Sequence, residues 1–553
     1  MQNLNRIACG FIRVIGVFFT GYIFLQGLYT ICCIQRVEEL TYYMKNDVFR
    51  QVVGIALFGI IVFFLQKKKD RYEKFLKKNA TLFLGILLAI VLLSFAAWIM
   101  VTRFWYFGDM EKIYQYAGMI LAGDFSGWMP GGYPYEWTQQ NTLILFVAGL
   151  LKIFGADASF LAFYFINLFF YGVALVAITM ILHRFATDRM TYIAEAVMVM
   201  LYFPFGFLIL MLYGDMIGFS FGCVSMAFLV YYLDSRKIWQ ILASCICIIV
   251  AVNFRQNETI IFLGILIILL MDWLKSSQSV GRLGIFIVYI GIAFIGFSVP
   301  GKIIEGMGNV KMEGGNSRWA HVAMGLQESD KAPGWYNNYV DEVFEGNNYN
   351  KLETAKAAKA DMGARLKFFK EDPVYAWRFF HKKLASEWNN PTFECFHIQN
   401  WRNTSLELSP VVKSIINDGG KLNILLIDLL DLAQSIVLFG VMMYLICVKT
   451  TDLRQLLFMI LFIGGFLFFA FWEAKCRYVL PFYFLLIPYA YSGYVEMIRQ
   501  KRIKTAAVIM VLIAWIGISQ NSWICDAFKL NGDTDAYYEY IHQYNHNFEN
   551  FRF

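Results

Sequence analysis

Two aspartates border long apolar segments of this sequence. Asp109 lies in FGDMEK, with Glu111 two residues later, and Asp215 lies in LYGDMIGFSFG between two apolar runs. A charge at membrane depth is costly and generally faces a cavity that has a function. A carboxylate at the mouth of such a cavity can act as a general base or hold a metal ion. Both positions also suit a helix N-terminus, where a carboxylate meets unpaired N–H groups.

Cations lie at two further borders of this kind. They occur with neighbouring acids or a tyrosine: Arg255 and Glu258 in AVNFRQNETIIF, and Glu473, Lys475, Arg477 and Tyr478 in FWEAKCRYVLPFYF. Planar guanidinium donors fit phosphate oxygens well. With the acids, they suit chemistry at a phosphate leaving group, in which a base deprotonates the attacking hydroxyl and cations stabilise the departing phosphate. The alternatives are a self-neutralised Arg–Glu pair and an interfacial anchor of cations and aromatics.

The composition indicates the class of protein that positions these groups. Of the 553 residues, 58% are hydrophobic and only 16% are charged, whereas a soluble domain is about a quarter charged. Apolar runs of about 18 residues or more recur along the chain, each long enough to cross a bilayer core as a helix. The sequence therefore predicts an all-α, polytopic transmembrane helical bundle.

A basic loop sets the predicted orientation. Seven Lys and Arg residues crowd positions 67–78, and short loops rich in these residues are typically cytoplasmic. Nucleic-acid binding is a poor explanation for a cluster between two spans. About thirteen spans follow from this anchor: 10–34, 48–66, 80–101, 159–182, 191–212, 216–233, 238–252, 259–273, 284–300, 425–447, 456–472, 478–496 and 505–523.

This threading places the N-terminus in the cytoplasm of a multi-pass cell-membrane protein, with the C-terminus and the charged borders outside. The apolar stretch 141–154 is short for a span and is interpreted as an interfacial or re-entrant helix in the external loop 102–158. The predicted regions are 1–79 (two spans and the basic loop), 80–300 (the membrane core), 301–424 (a partly helical external domain), 425–523 (four spans) and 524–553 (an external tail).

Two smaller features belong to the external regions. The segment 350–390 has helical composition that breaks at Asp372-Pro373. Cys395 and Cys525 are both predicted outside, which leaves a disulfide between them open.

In this order the motifs resemble those of the GT-C superfamily of integral-membrane glycosyltransferases. The narrower resemblance is to bacterial relatives of protein O-mannosyltransferases and of the lipid A aminoarabinose transferase. It rests on FGDMEKIYQYA, GGYPYEW, YGDMIG, NFRQNE and EAKCRYVLPFYFLLIPYAYSGY, within about residues 80–500. The last motif is similar to a Glu-x-Arg-Tyr-x-x-Pro pattern, with two extra residues between Glu473 and Arg477.

The resemblance implies an inverting transfer of a monosaccharide from a polyprenyl-phosphate donor to an acceptor hydroxyl on the outer face of the membrane. The acceptor would be a cell-envelope glycopolymer or another hydroxyl compound. By position, the first-loop acid would be the base, Asp215 would be a second carboxylate near the acceptor or a metal, and the donor phosphate would meet Arg255, Lys475, Arg477 and Tyr478. The first loop has Asp109-Met110-Glu111 instead of an adjacent Asp-Glu pair, so either acid could be the base.

Further candidates for substrate binding are Glu473, His321 in RWAHVAMGLQ, and the aromatics Tyr133 and Trp137. His321 equally suits a solvated loop position. No metal-ligand cluster of recognisable spacing occurs, and the one cofactor left open is a divalent cation at Asp109 and Asp215. Expected partners are the lipid donor, the acceptor and the bilayer, without nucleic acid. The competing functions are a polysaccharide polymerase or ligase with a polyprenyl-pyrophosphate donor, and a transporter or flippase.

Overall fold

The computed structural model describes residues 2–36, 38–276, 279–312, 315–400, 404–519, 523–530 and 532–550. Within these ranges the chain is mostly helical. The one sheet found there is an antiparallel hairpin of β1 (Thr30–Ile34) and β2 (Thr41–Lys45). Its strands are rich in β-branched and aromatic residues, which favour extended structure.

The helices before the polar region are α1 (Gln2–Tyr29), α2 (Val48–Lys67), α3 (Lys69–Thr102), α4 (Asp109–Ala122), α5 (Tyr133–Glu136), α6 (Asn141–Phe185), α7 (Arg189–Leu201), α8 (Phe203–Gly206), α9 (Asp215–Ser235), α10 (Ile238–Phe254), α11 (Thr259–Lys275), α12 (Val280–Phe297) and α13 (Val299–Gly308). Short 3-10 turns cover Ser126–Trp128, Thr138–Gln140, Phe207–Leu210, Gln256–Glu258 and Leu453–Leu456.

The remaining helices are α14 (Arg318–Gly325), α15 (Tyr339–Gly346), α16 (Lys351–Glu371), α17 (Pro373–Trp388), α18 (His397–Asn400), α19 (Pro410–Ile416), α20 (Lys421–Cys447), α21 (Leu457–Phe471), α22 (Cys476–Phe484), α23 (Ile487–Arg499), α24 (Ile503–Ile518), α25 (Trp523–Phe528) and α26 (Thr534–Asn550). The predicted break at Asp372-Pro373 is confirmed, because Asp372 caps α17 by accepting a hydrogen bond from the Tyr375 N–H.

Among the described residues, ten helices are long and apolar enough to cross a membrane, or eleven if the bent pair Arg189–Leu201 and Phe203–Leu210 is one span. The predicted multi-pass helical architecture is therefore confirmed, although about thirteen spans were expected. The expected span 478–496 is divided between α22 and α23, and α10 has only 17 residues. The expected span 10–34 ends in strand β1, and residues 520–522 of the last expected span lie outside the described ranges.

Ion pairs join the short basic loops at one end of the bundle, here called the basic end (residues 67–69, 184–189, 234–237, 272–276, 279–282 and 449–454). Lys69 Nζ lies 2.8 Å from Asp188, and Asp234 is paired with both Arg184 and Arg454. The helices that leave this end reach the opposite end at residues 102–109, 211–215, 254–258 and 472–478, here called the cavity end. Alternate loops therefore gather at opposite ends of one bundle.

The chain reverses direction inside α6. Gly155 adopts φ 73°, a left-handed conformation that glycine reaches without a side-chain clash. The two halves of α6 are therefore neighbours, with the rings of Phe146 and Phe163 6.2 Å apart. The segment 141–154 passes the length and composition test for a span as part of Thr138–Ala156. Both of its ends nevertheless contact the region around α4: the Trp128 Nε1–H donates to Asn141, and the Tyr114 hydroxyl donates to the Ala156 carbonyl.

The polar region 301–424 is anchored in the bundle. After α17 the chain enters the helix bundle, and nearly all of residues 389–399 are buried. The Trp98 Nε1–H donates to Gln399 at 2.7 Å, and Gln434 donates to the Trp388 carbonyl at 2.7 Å. The C-terminal region is anchored as well, because α26 packs on β2 and Asp533 accepts a hydrogen bond from the Tyr43 N–H.

Helices α20 and α23 approach each other through glycines. A Cβ atom added at Gly493 would lie 1.8 Å from the Gly440 carbonyl oxygen, so the two backbones touch with no space for a side chain. Small residues at such contacts are typical of membrane helix pairs, because they permit dispersion contacts between backbones.

We expect Gly493→Ala to lower the thermal unfolding temperature of the detergent-purified protein, because an extra methyl at a filled contact typically costs about 1–3 kcal/mol. The matched control is Gly363→Ala in α16, where nothing lies within 4 Å of the added Cβ and alanine favours the helix. Intrinsic-fluorescence melting measures both. An unchanged Gly493→Ala protein would show that this contact is loose.

Candidate functional site

A cavity of about 740 Å³ opens at the cavity end of the bundle. Its walls come from the segment 107–140, the loops before α9 and α11, the turn between α21 and α22, and the polar region around α14. Nine of the eleven predicted site residues line it: Asp109, Tyr133, Trp137, Arg255, His321, Glu473, Lys475, Arg477 and Tyr478. Asp215 and Glu111 do not. The fold therefore brings distant motifs into one space.

Asp109 is the first residue of α4 and faces this cavity. Gly108 occupies the N-cap position with φ 60°, and no side chain caps the helix. The Asp109 side chain is therefore free of a capping bond, and 51% of its surface is exposed. Protein surrounding this half-open position raises the pKa of the carboxyl, while Lys112, 3.9 Å away, and Arg477 oppose the rise.

Glu111 lies on a different side of the same helix. Two residues of an α-helix are about 200° apart, and the α4 face defined by Met110, Ile113 and Ala117 is buried against the bundle. Glu111 is exposed and does not line the cavity. The geometry thus separates the two acids that the sequence left equivalent.

Asp215 lies behind the cavity wall as the partner of Arg255. It begins α9 after Gly214, where an added Cβ would lie 1.8 Å from the Phe254 carbonyl oxygen. Glycine there lets the two loops touch, and Arg255 Nε reaches Asp215 at 3.0 Å. The sequence alternative of an Arg255–Glu258 pair is wrong, since Arg255 pairs with Asp215 instead. Asp215 is only 8% exposed and is not a solvated turn residue.

Arg477 is held by aromatic rings and interacts electrostatically with the buried carboxyl of Glu394. It lies in the first turn of α22, between the rings of Tyr213 and Tyr478, with its guanidinium carbon 5.2 and 5.4 Å from the ring centres. It is 9% exposed, and its Nε has no hydrogen-bond partner within the described ranges. It takes part in none of the ion pairs found there. A stacked, nearly buried guanidinium that faces a cavity is suited to bind an anion.

Lys475 is held by an acid that the sequence analysis missed. Glu39, in the turn of the β-hairpin, lies 2.7 Å from Lys475 Nζ and is also paired with Lys331 of the polar region. Burial alone would raise the pKa of Glu39, but Lys475 and Lys331 outweigh it and lower the pKa to about 2. The strand-forming composition of TICCI and TYYMK was the signal available for this hairpin.

His321 lies in α14 with its side chain 12% exposed, so the alternative of a solvated loop histidine is wrong. Its ring stacks on Trp472 with centroids 4.9 Å apart, and its Nδ1 is 3.6 Å from Glu473. Trp137 packs edge-on against the same ring at 5.6 Å. These groups form an aromatic and acidic wall at the side of the cavity.

Tyr133 forms another part of the aromatic wall. Its ring stacks on Tyr116 at 6.1 Å, and Lys112 Nζ lies 5.1 Å above it. Tyr116 and Lys112 therefore hold the Tyr133 ring in place in the cavity wall.

The donor set does not fit a resident metal ion. Asp215 is engaged by Arg255, and the described residues contain no group of three or more His, Cys, Asp or Glu side chains that could hold a metal. Cys395 and Cys525 are both buried free thiols.

A scan against protein-family models and a search of curated proteins give no match to this chain.

The Glu39 pair makes a pH-dependent prediction for stability. Because the folded-state pKa of about 2 lies below the ordinary 4.5, Glu39 stabilises the protein fully above pH 4.5 and loses this effect as the pH falls toward 2. We expect Glu39→Gln to lower the free energy of unfolding at pH 7 by on the order of 3 kcal/mol. The difference from the wild type should narrow below pH 4.5.

Thermal melting of both proteins from pH 7 to pH 3.5 measures this effect. Glu38→Gln is the control, because Glu38 is exposed. If the melting temperature of Glu39→Gln stays below that of the wild type by the same amount down to pH 3.5, the ion-pair explanation is contradicted.

Proposed function

We propose that the protein is a membrane glycosyltransferase that moves a monosaccharide from a polyprenyl-phosphate donor to an acceptor hydroxyl. The observation that carries this proposal is one cavity, at the end of an apolar bundle, lined by Asp109 together with Arg255, Lys475 and Arg477. A lipid-linked sugar phosphate has its tail in the bilayer and its reactive group at this level. The cavity supplies a base and cations where that group would lie.

The proposed reaction is an in-line displacement at the anomeric carbon. Asp109 takes the proton of the acceptor hydroxyl, whose oxygen attacks the anomeric carbon as the bond to the phosphate oxygen breaks. The sugar is transferred with inversion, and the polyprenyl phosphate leaves with an added negative charge. Arg477 offers the first site for that charge, and Lys475 and Arg255 add positive potential beside it.

The proposal includes an orientation. The basic end would lie in the cytoplasm, as the positive-inside rule requires, and the cavity would open on the outer face of the cell membrane. The segment 141–154 would then stay on that side of the membrane, because both of its ends contact the region around α4. A cell-envelope glycopolymer would reach the cavity from outside, with Trp137 and His321 available to bind sugar.

The two first-loop acids provide a matched test. We expect Asp109→Asn to reduce the transfer rate of the purified protein by at least about 100-fold. General-base catalysis typically contributes roughly 10²–10⁴-fold to a rate. Glu111→Gln should retain activity, because Glu111 does not line the cavity. The measurement is product formation from a polyprenyl-phosphate sugar, followed by mass spectrometry.

Loss of transfer in both variants, or in neither, would contradict the assignment of Asp109. A second arm offers a polyprenyl-pyrophosphate oligosaccharide. Transfer from that donor alone would identify a polymerase or ligase, and substrate-driven uptake by proteoliposomes without any transfer would identify a transporter.

The surroundings of Asp109 also predict a pH effect. Only the deprotonated carboxylate acts as a base, so kcat/KM should rise with pH through the raised pKa of Asp109. Since Lys112 lowers this pKa, Lys112→Met should move the acidic limb of the pH–rate profile to higher pH. Lys152→Met is the control, because Lys152 is exposed and away from the cavity. A shift to lower pH in Lys112→Met would exclude Asp109 as the titrating base.

A further inference from the structure

A second cavity, of about 520 Å³, lies at the basic end of the bundle. It is bordered by the ends of α6 and α20, the start of α21, and helices α7 and α23. The proposed transfer reaction takes place at the opposite end and gives this cavity no role. It has a buried acid at its floor and cations at its rim.

The floor of this second cavity holds a buried carboxylate. Glu195 of α7 is 5% exposed, and its one hydrogen bond within the described ranges comes from the Ser492 hydroxyl of α23. A carboxylate can accept about four hydrogen bonds, and a buried one is costly when few are formed. Glu195 is therefore suited to a ligand that brings further N–H donors.

The rim carries two cations without an ion pair among the described residues, whereas Glu496, an acid that also lines the cavity, is paired with Arg499. Lys449 and Arg502 take part in none of the ion pairs found among the described residues. The nearby Arg454 differs, because Asp452 and Asp234 already hold it. Two such cations at the end of a transmembrane bundle are suited to a phosphate group.

Apolar side chains form part of the walls between floor and rim. Leu182 and Phe185 on one side and Leu457 and Phe458 on the other line the space at the ends of membrane-crossing helices. A fully hydrophilic ligand would leave these side chains without contacts, whereas a lipid would cover them.

We infer that this cavity binds the head group of an aminophospholipid from the leaflet at the basic end. Lys449 and Arg502 would bind its phosphodiester, and Glu195 with Ser492 would accept from its ammonium group. The combination selects a zwitterion, because a purely anionic head group would meet the Glu195 carboxylate and a lipid without phosphate would leave the rim cations unmet. This site is independent of the proposed transferase activity.

The test uses the delipidated full-length protein and native mass spectrometry with equal amounts of phosphatidylethanolamine and phosphatidylglycerol of the same acyl chains. We expect the wild type to retain phosphatidylethanolamine preferentially. Lys449→Gln and Arg502→Gln should each weaken its retention by roughly tenfold, the size expected for loss of a charge-assisted hydrogen bond. Glu195→Gln should abolish the preference between the two lipids.

Lys501→Gln is the matched control, because Lys501 is the exposed neighbour of Arg502 and does not line the cavity. Equal retention of the two lipids by the wild type, or equal losses in Lys501→Gln and Arg502→Gln, would overturn the inference. Glycerophosphoethanolamine, which has the head group without acyl chains, distinguishes the sources. Displacement of the lipid at equal concentration would assign the site to a soluble phosphate compound and overturn the lipid assignment.

Discussion

The candidate site depends on how a membrane bundle holds several charges close together. An unpaired charge in such a bundle is expensive, so each cation needs an acid, an aromatic face or a ligand. Arg255 is paired with Asp215, and Lys475 is paired with Glu39. Arg477 is held instead between two tyrosine rings. The protein thus places these three cations around one space and leaves the Arg477 guanidinium available to a ligand.

These pairings explain parts of the fold that a helix bundle alone does not require. The β-hairpin carries Glu39 from the N-terminal helices to Lys475, and Lys331 connects the polar region to the same carboxylate. Residues 389–399 enter the bundle beneath this cluster, and the C-terminal helix packs on the hairpin from outside. The β-hairpin, the polar region and the C-terminal helix therefore all support the same wall of the cavity. Weakening the ion pairs of Glu39 with Lys331 and Lys475 would affect the stability of the protein and the geometry of the site together.

The sequence was sufficient for the class of fold and for most of the candidate residues that share one cavity, because both depend on local signals. Long apolar runs predicted the helices, and the charged and aromatic residues between them include nine that line one cavity. Ion-pair partners were harder to predict from the sequence. The sequence suggested Glu258, a near neighbour, as the partner of Arg255, whereas the fold brings Asp215 to it. Glu39 was missed because its importance comes entirely from two lysines distant in sequence. The divided helix at 478–496 was missed although Pro488, in the first turn of α23, is a signal for a helix start.

In the proposed reaction the lipid donor reaches the cavity from the bilayer and the hydrophilic acceptor reaches it from water. The exposures of Arg477 and Asp109 match these two directions of approach. Asp109 is 51% exposed on a helix outside the bundle, whereas Arg477 is 9% exposed at the top of α22 within it. A base must be accessible to a hydroxyl on a large hydrophilic acceptor, and a phosphate clamp must be accessible to a lipid. If the two residues exchanged positions, water would weaken the attraction between Arg477 and a phosphate. Burial would then keep the acceptor from reaching Asp109. The depth of each residue is therefore itself an argument for the role proposed for it.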